Sequence, residues 1–597
     1  MGAWQFWWGA TRRFYRNWGS YVALIFGTNL VISYLAIPFF NEALELLLKS
    51  QGVAYVSYTN FAAIARQAPL AMLGMLVLLV ALIELVYWQF AFLLLGITNI
   101  LRGRPQTVRQ VLRATVGSLR HTSLSSFPLF VGYFIVILPF GSFMFTTPLL
   151  NKARIPAFIV SFLMDNPWMT VALAAFYLIT GYLGLRLIAL LPLMILDQLP
   201  WRIAVRRSWS QTRHRTLRNL WAMLVILLMT GLSVSLIYGV LYVAQLAWDQ
   251  TTLAMGAATV NLFLMEIATE ILICYTTALF MMLFIALYRQ DLSLISKRPR
   301  YFNEPPHLKR WTRTGVVAGL VLASGVLVGF NLIYLNGLAI SKPLIIAHRG
   351  VDHHNGVQNT IPALKKTAQA HPAYVEMDVQ VTKDHQFVVM HDTNLKTLTG
   401  KNVRTANLTL AQLQRLTVRE NGHAAKIPSF DAYLQAAHQS GQRLLVEIKT
   451  NRAYTRADTR RFVQRYGASL KQHHDQVQTL SYRVMSDLKQ RDQQQTTSYI
   501  LPYNLTFPHT VADGYTMEVT TLNDRFVDKA ERAHKLVYAW DIDDEDQMTQ
   551  MMFMGVDGVI TNNTRQMQRQ VRTTTEHPSY AKLLLTFMNE LSLTDQS

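Results

Sequence analysis

The stretch from Leu344 to Asp392 reads LIIAHRG (344–350), a loop ending in Gln358-Asn359-Thr360, YVEMDVQVT (374–382) and FVVMHD (387–392). Its three short apolar runs end in His348-Arg349, in Glu376 and Asp378, and in His391-Asp392. Two imidazoles and three carboxylates therefore fall at or just past the ends of predicted strands, which is where an α/β sheet or barrel assembles a catalytic rim.

Alternation within this stretch carries the chemistry. Successive strand side chains point to opposite faces, so Glu376 and Asp378 project the same way. Two carboxylates on one face repel unless a cation lies between them, and hard oxygen ligands suit Mg²⁺ or Ca²⁺. A thiolate site is excluded because the single cysteine, Cys274, lies in an apolar run. A third carboxylate comes from RLLVEIKT (443–450), where Glu447 and Lys449 are again two apart: Glu447 can complete a metal site, and Lys449 can hold a phosphate oxygen.

His348-Arg349-Gly350, Glu376-x-Asp378, the VTKD of 381–384, His391-Asp392, Glu447-x-Lys449, Trp540 and GVDGVIT (555–561) occur in one order. Together they resemble the glycerophosphodiester phosphodiesterases, over most of Pro343 to about Arg572. Each motif alone is weak, and the series is specific. The resemblance implies a TIM barrel, a divalent metal and two histidines, His348 and His391, working as acid and base. It implies Glu376, Asp378 and Glu447 as metal ligands, with Arg349, Lys449, Asn359 and Trp540 as phosphate- and substrate-binding residues. Trp540 is read either as a wall for the glycerol moiety or as barrel packing. One departure stands out: the family usually has Glu-Asn-Thr where this chain has Gln358-Asn359-Thr360, which bears on substrate contacts or metal affinity more than on activity.

Working outward, the 597 residues divide into two unlike parts. Hydrophobic residues make up 51% of the chain, a large share for a soluble protein. They are also segregated: from Tyr21 to Asn336 apolar runs long enough to cross hydrocarbon dominate, and beyond Ser341 the chain turns polar. About seven spans are expected, over Tyr21 to Phe40, Leu70 to Ile97, Phe127 to Leu149, Met169 to Leu196, Leu220 to Trp248, Thr259 to Tyr288 and Gly315 to Leu335. The first is too long for a cleavable signal peptide, and no small-residue cleavage site follows it.

Arginine and lysine crowd alternate connectors: 12–16, 102–120, 202–218 and 289–313. The other connectors carry only Lys49 and Arg66, then Lys152 and Arg154, then none. The positive-inside rule makes the basic connectors cytoplasmic, and seven crossings then place the C-terminal domain outside the cell. A net charge of +20 suits nucleic acid in general, but here the cations flank spans and read as topology and attraction to anionic lipid, with no nucleic-acid partner. Two basic segments, 102–121 and 199–219, look alike, as a repeat of span, interfacial helix and span. Glu84, Arg186, Glu266 and Glu270 lie within spans, where a lone charge costs at least about 2.5–3.5 kcal/mol. The expectation is a structural pairing, for example of Glu84 or Glu266 with Arg186, ahead of a polar cavity for a lipid headgroup.

In the polar half, strands are expected at Leu344 to Ala347, Tyr374 to Val381, Phe387 to Met390, Arg443 to Lys449, Gln478 to Tyr482, Thr497 to Leu501, Tyr515 to Val519, Leu536 to Trp540 and Gly558 to Thr561. Helical patterns such as Ile361 to Ala370, Ser429 to Ser440 and Phe526 to Ala533 alternate with them, arguing for a parallel α/β fold. The chain is thus read as a multi-span α-helical membrane domain over 1–337, a TIM-barrel catalytic domain over 338–572 and an amphipathic tail over 573–597. The function expected is hydrolysis of glycerophosphodiesters, lysophospholipids or lipoteichoic-acid-type glycerol phosphate to sn-glycerol 3-phosphate and an alcohol, at the cell membrane. The alternative is a lipid-binding or lipid-transport protein with an accessory or inactive barrel. The sequence sets no oligomeric state.

Overall fold

Inside hydrocarbon every backbone polar group needs a partner within its own segment, so long apolar runs become helices. In the computed structural model, which describes residues 2–57, 60–103, 108–119, 131–133, 136, 147, 149, 157–164, 166–289, 310–337, 340–503, 506–576 and 579–594, six helices are long and apolar enough to cross a membrane. They are Trp18–Ser50, Pro69–Leu101, Pro167–Leu196, Thr216–Trp248, Ala254–Tyr288 and Val317–Leu335. The remaining expected span, Phe127 to Leu149, lies outside the described residues except at 131–133, 136, 147 and 149. Two compact units result, one of Met1–Gln51, Ala65–Leu335 and Phe587–Ser597, the other of Gly52–Ile64 and Asn336–Thr586.

In the first unit, Ala254–Tyr288 is the most buried span, with Phe280, Met281, Met282 and Leu283 fully enclosed. The two basic segments do form similar short helices. Val108–Leu119 buries Val111 and Thr115, and Trp201–Thr212 buries Ala204, Ser208 and Thr212, each at a spacing of four that leaves the arginines exposed. Among the described residues Arg186 does not pair with Glu84 or Glu266 as expected. Buried Arg186 donates to Thr212 Oγ1 (3.1 Å), Tyr182 OH (3.1 Å) and the Trp209 carbonyl (2.5 Å) and lies over the Trp209 ring, while Glu266 accepts from Asn331 Nδ2 at 3.0 Å. Neutral hydrogen-bonding groups and an aromatic face satisfy the guanidinium without burying a second charge.

The second unit is a closed barrel of eight parallel strands. Its strands, numbered with three others in chain order, are β1 (Leu344–Ala347), β2 (Tyr374–Val381), β6 (Leu444–Ile448), β7 (Gln476–Thr479), β8 (Thr497–Leu501), β9 (Gly514–Glu518), β10 (Leu536–Trp540) and β11 (Gly558–Thr561). Each pairs with the next, and β1 closes the ring by pairing with both β2 and β11. Short β3 (Phe387–Val389) runs antiparallel beside β2, and β4 (Thr417–Glu420) and β5 (His423–Lys426) form a separate hairpin. The strand expected at Gln478 to Tyr482 ends earlier, because Ser481 Oγ accepts from Val484 N and caps a helix over Tyr482–Arg491.

This unit also takes in the connection after the first span. Tyr55 is 8% exposed, with its ring 4.8 Å from Tyr482 and 5.2 Å from Tyr499, and the His509 amide donates to the Ala54 carbonyl at 2.8 Å.

Candidate active site

The sequence places the key residues where strands end. β1 runs into the turn His348–Gly350, in which Arg349 (φ 50°) and Gly350 (φ 68°) both take left-handed backbone. Glycine is required at 350 on two counts, its positive φ and the Tyr433 hydroxyl, which lies 2.6 Å from where a β-carbon would stand. The turn aims the Arg349 amide at Glu376 Oε2, 2.8 Å away.

Glu376 and Asp378 project from β2 to one face, and the parallel register sets Asp378 beside Glu447 of β6. One carboxylate oxygen from each of the three lies within 4.8 Å of the others, and all three side chains are buried. Lys449 Nζ is 3.3 Å from Asp378 Oδ1 and 3.1 Å from Glu447 Oε1, and Arg349 Nε is 3.9 Å from Asp378 Oδ2. Asn359 donates from Nδ2 to Asp378 Oδ2 at 2.8 Å and accepts from the Asp378 amide at 3.0 Å.

The electrostatics follow from burial and crowding. Burial, then Asp378 and Glu447, hold the Glu376 carboxyl well above the usual carboxylate range. Burial also raises Glu447, against the pull of Lys449. Asp378 goes the other way: burial raises it, but Lys449, His391, Arg349 and the Asn359 hydrogen bond together bring it below the usual range. Three buried carboxylates against two fixed cations leave a site short of positive charge, and its donors are all oxygens. That donor set fits a hard divalent cation.

The two histidines are held by different partners. His391 Nδ1 is 2.8 Å from Asp392 Oδ1, and that bond, followed in size by burial acting against it, holds Asp392 below the usual range. Fully buried Gln380 donates from Nε2 to the carbonyls of Met390 (2.9 Å), His391 (2.9 Å) and Asp392 (3.0 Å), fixing the loop that carries His391. His348 Nδ1 lies 3.0 Å from Asn562 Oδ1 and 3.4 Å from Asp541 Oδ1. Because Asn562 Nδ2 is committed to Asp543 Oδ2 at 2.7 Å, its oxygen faces His348 and accepts from Nδ1–H, leaving Nε2 as the free nitrogen. Burial lowers the His348 pKa, with Asp541 opposing.

Of the residues singled out from the sequence, eight thus gather here: His348, Arg349, Asn359, Glu376, Asp378, His391, Glu447 and Lys449. Trp540 closes β10 and packs against the apolar cluster of Ile346, Tyr374, Leu445, Tyr538 and Ile560. Sequence reasoning missed Asn562, Asp541, Asp543 and Gln380. Asn562 carries the signal that marked His348, a polar residue just past a strand end.

The first half of the chain matches the family model described as the membrane domain of glycerophosphoryl diester phosphodiesterase, over residues 7–327. Residues 348–566 match the glycerophosphoryl diester phosphodiesterase family. A glycerophosphodiester phosphodiesterase of Caldanaerobacter subterraneus subsp. tengcongensis is 23% identical over 244 residues, 39% of this chain and 98% of the relative. The lysophospholipase D GDPD1 of Homo sapiens is 40% identical over 68 residues, 11% of this chain and 21% of that protein. Among solved structures, an Oleispira antarctica phosphodiesterase in complex with the product sn-glycerol-3-phosphate is 21% identical, covering 38% of this chain and 96% of its own, with a TM-score of 0.35. With one model spanning more than half of the chain and the other covering the residues of this site, the protein belongs to the glycerophosphoryl diester phosphodiesterase family, as a multi-span membrane member and a glycerophosphodiester phosphodiesterase.

Proposed function

We propose that the barrel is a metal-dependent phosphodiesterase acting outside the cell on glycerophosphodiesters linked to the membrane, such as lysophospholipids or lipid-anchored glycerol phosphate. The observation that carries the metal dependence is the trio of buried carboxylates within 4.8 Å. Glu376, Asp378 and Glu447 would hold Mg²⁺ or Ca²⁺, whose chemistry is Lewis acidity toward a phosphoryl oxygen. Arg349 and Lys449 orient the phosphate and neutralise the charge that builds on its oxygens. His348 and His391 divide the proton transfers, one taking a proton from the nucleophile, a glycerol hydroxyl or water, and the other giving one to the departing alcohol. Asp392 supports an imidazolium at His391. Asn359 steadies Asp378, and Trp540 borders the site.

Two observations support the outward placement. Basic residues crowd the alternate connectors, and the connection after the first span, flanked only by Lys49 and Arg66, belongs to the barrel's own unit. Counting the expected span Phe127 to Leu149 with the five described spans gives an even number of crossings from that connection to β1, as a shared side requires. The lipid-linked substrate is supported by the extent of the membrane domain and by the lysophospholipase D activity named for one relative.

The test is an assay of the purified full-length protein on glycerophosphocholine and on a lysophospholipid, with Mg²⁺, Ca²⁺ or excess EDTA. The expected result is cation-dependent release of sn-glycerol 3-phosphate and choline from glycerophosphocholine and, faster, of lysophosphatidic acid and the head-group alcohol from the lysophospholipid. Full activity in EDTA overturns the metal reading, and activity on glycerophosphocholine alone overturns the lipid-linked one.

A further inference from the structure

The guanidinium of Arg349 is held from outside the barrel. Its Nη1 donates to Gln358 Oε1 at 2.8 Å. Gln358 is clamped in turn by one carboxylate: its backbone N donates to Glu420 Oε2 at 2.8 Å and its Nε2 to Glu420 Oε1 at 2.6 Å. Glu420 ends β4 of the separate hairpin, next to a two-residue turn of Asn421 (φ 51°) and Gly422 (φ 74°). The hairpin is seated firmly. Val418 and Val357, which precede these two side chains in their strand and loop, lie in one apolar cluster with Leu413 and Ile427, and Asn421 Nδ2 donates to the Gly356 carbonyl at 3.3 Å.

We infer that Glu420 is a positioning residue, and that the Glu420–Gln358 pair aims Arg349 at the phosphate through a neutral amide. This rests on the proposed phosphate-binding role of Arg349. An amide side chain can turn either end toward a neighbour. Here Glu420 takes both N–H groups that Gln358 offers on that side, so only the carbonyl oxygen is left to face Nη1. A carboxylate at 358 would form a direct ion pair with the guanidinium and draw off charge that a phosphoryl oxygen would otherwise receive. The neutral amide orients the guanidinium without adding a second carboxylate to Asp378, whose Oδ2 already stands 3.9 Å from Nε.

Four variants of the full-length protein test this, with glycerophosphocholine as substrate and sn-glycerol 3-phosphate as a binding probe. E420A should lower kcat/KM about tenfold, mainly through KM, and weaken product inhibition by a similar factor, as expected for a lost hydrogen bond to a charged group. Q358E should do at least as much harm, since it sets two carboxylates against each other at hydrogen-bonding distance. Q358E/E420Q returns one donor and one acceptor to the pair and should be several-fold better than Q358E while staying below wild type, because its carboxylate at 358 still pairs with the guanidinium; disturbance of the hairpin alone gives no such partial rescue. R349A should be far more damaging, and E420A added to it should change nothing further. An R349A protein with unaltered kcat/KM overturns the phosphate role of Arg349 and the relay with it. A disabled R349A beside an unaffected E420A, or a double variant no better than Q358E, overturns the relay alone.

Discussion

Tyr55 is far from the barrel in sequence, yet its replacement should destabilise the barrel. The ring is 8% exposed and completes a cluster with Tyr482 and Tyr499, whose own centroids are 5.7 Å apart. A buried aromatic ring removes about 150–250 Å² from water. At about 25 cal/mol per Å² that is roughly 4–6 kcal/mol, an upper bound because the unfolded chain already buries part of it. Ordering the connection that carries Tyr55 offsets some of the gain, so Y55A should cost about 2–4 kcal/mol. A domain of this size shifts its Tm by about 2–4 °C per kcal/mol, so the barrel transition should fall by roughly 5–15 °C. Scanning calorimetry of the full-length protein in detergent, followed by activity lost on heating, reads this directly. Y55F keeps the ring and should stay within a few degrees of wild type. A Y55A protein whose barrel melts within 1 °C of wild type refutes the packing argument. The same reasoning expects a barrel cut free at Ser341 to melt lower than the intact chain, and to regain stability when 52–64 is fused to it.

E376Q should cut turnover at least roughly a hundredfold while leaving the melting of the EDTA-treated protein unchanged or raised, because it removes a buried carboxyl crowded by two others; a lowered melting point in EDTA would count against that crowding. His348 has its folded pKa lowered mainly by burial, so between that value and its unfolded pKa of about 6.5 the unfolded chain binds more protons, and stability falls as pH drops through the window. Denaturant midpoints in EDTA at pH 7 and 5.5 should therefore fall further for wild type than for H348Q, and equal losses would refute the assignment. Buried Cys274 is the only native cysteine, so added thiols report side of membrane cleanly. On intact cells S440C, in the barrel, should react with an impermeant maleimide, and S210C, in the basic helix Trp201–Thr212, only after permeabilisation; the reverse pattern overturns the outward placement.

What the sequence made legible were features whose information is local. Glu376 and Asp378 are two apart, so strand geometry alone puts them on one face, and Glu447 joins them because β6 repeats the pattern beside β2 in register. Spans were legible because twenty or so apolar residues have one stable use. What stayed hidden depends on where the chain returns. Asn-Gly at 421–422 signals a hairpin, but nothing local says that its Glu420 comes back to Gln358, 62 residues away in sequence. Asn562 reaches His348 only because β11 closes on β1, and Tyr55 meets Tyr499 across more than four hundred residues. The pairing expected for Arg186 failed for a related reason: charge identifies a need, and any well-placed oxygen or ring meets it.

The hidden contacts share a physical role that the legible ones lack. The carboxylates, histidines and cations of the rim are all polar groups forced together, and burial sets them against one another, as the raised Glu376 and lowered His348 show. Such a cluster does not hold its own geometry; each member would relax away from a like neighbour. Asn562 and Asp543 fix one histidine, Gln380 fixes the loop of the other, and Glu420 fixes Arg349 through Gln358. The support comes from outside the motifs, in groups whose hydrogen bonds are otherwise satisfied, and it is this surrounding shell that turns a run of short motifs into a site able to act on a phosphodiester.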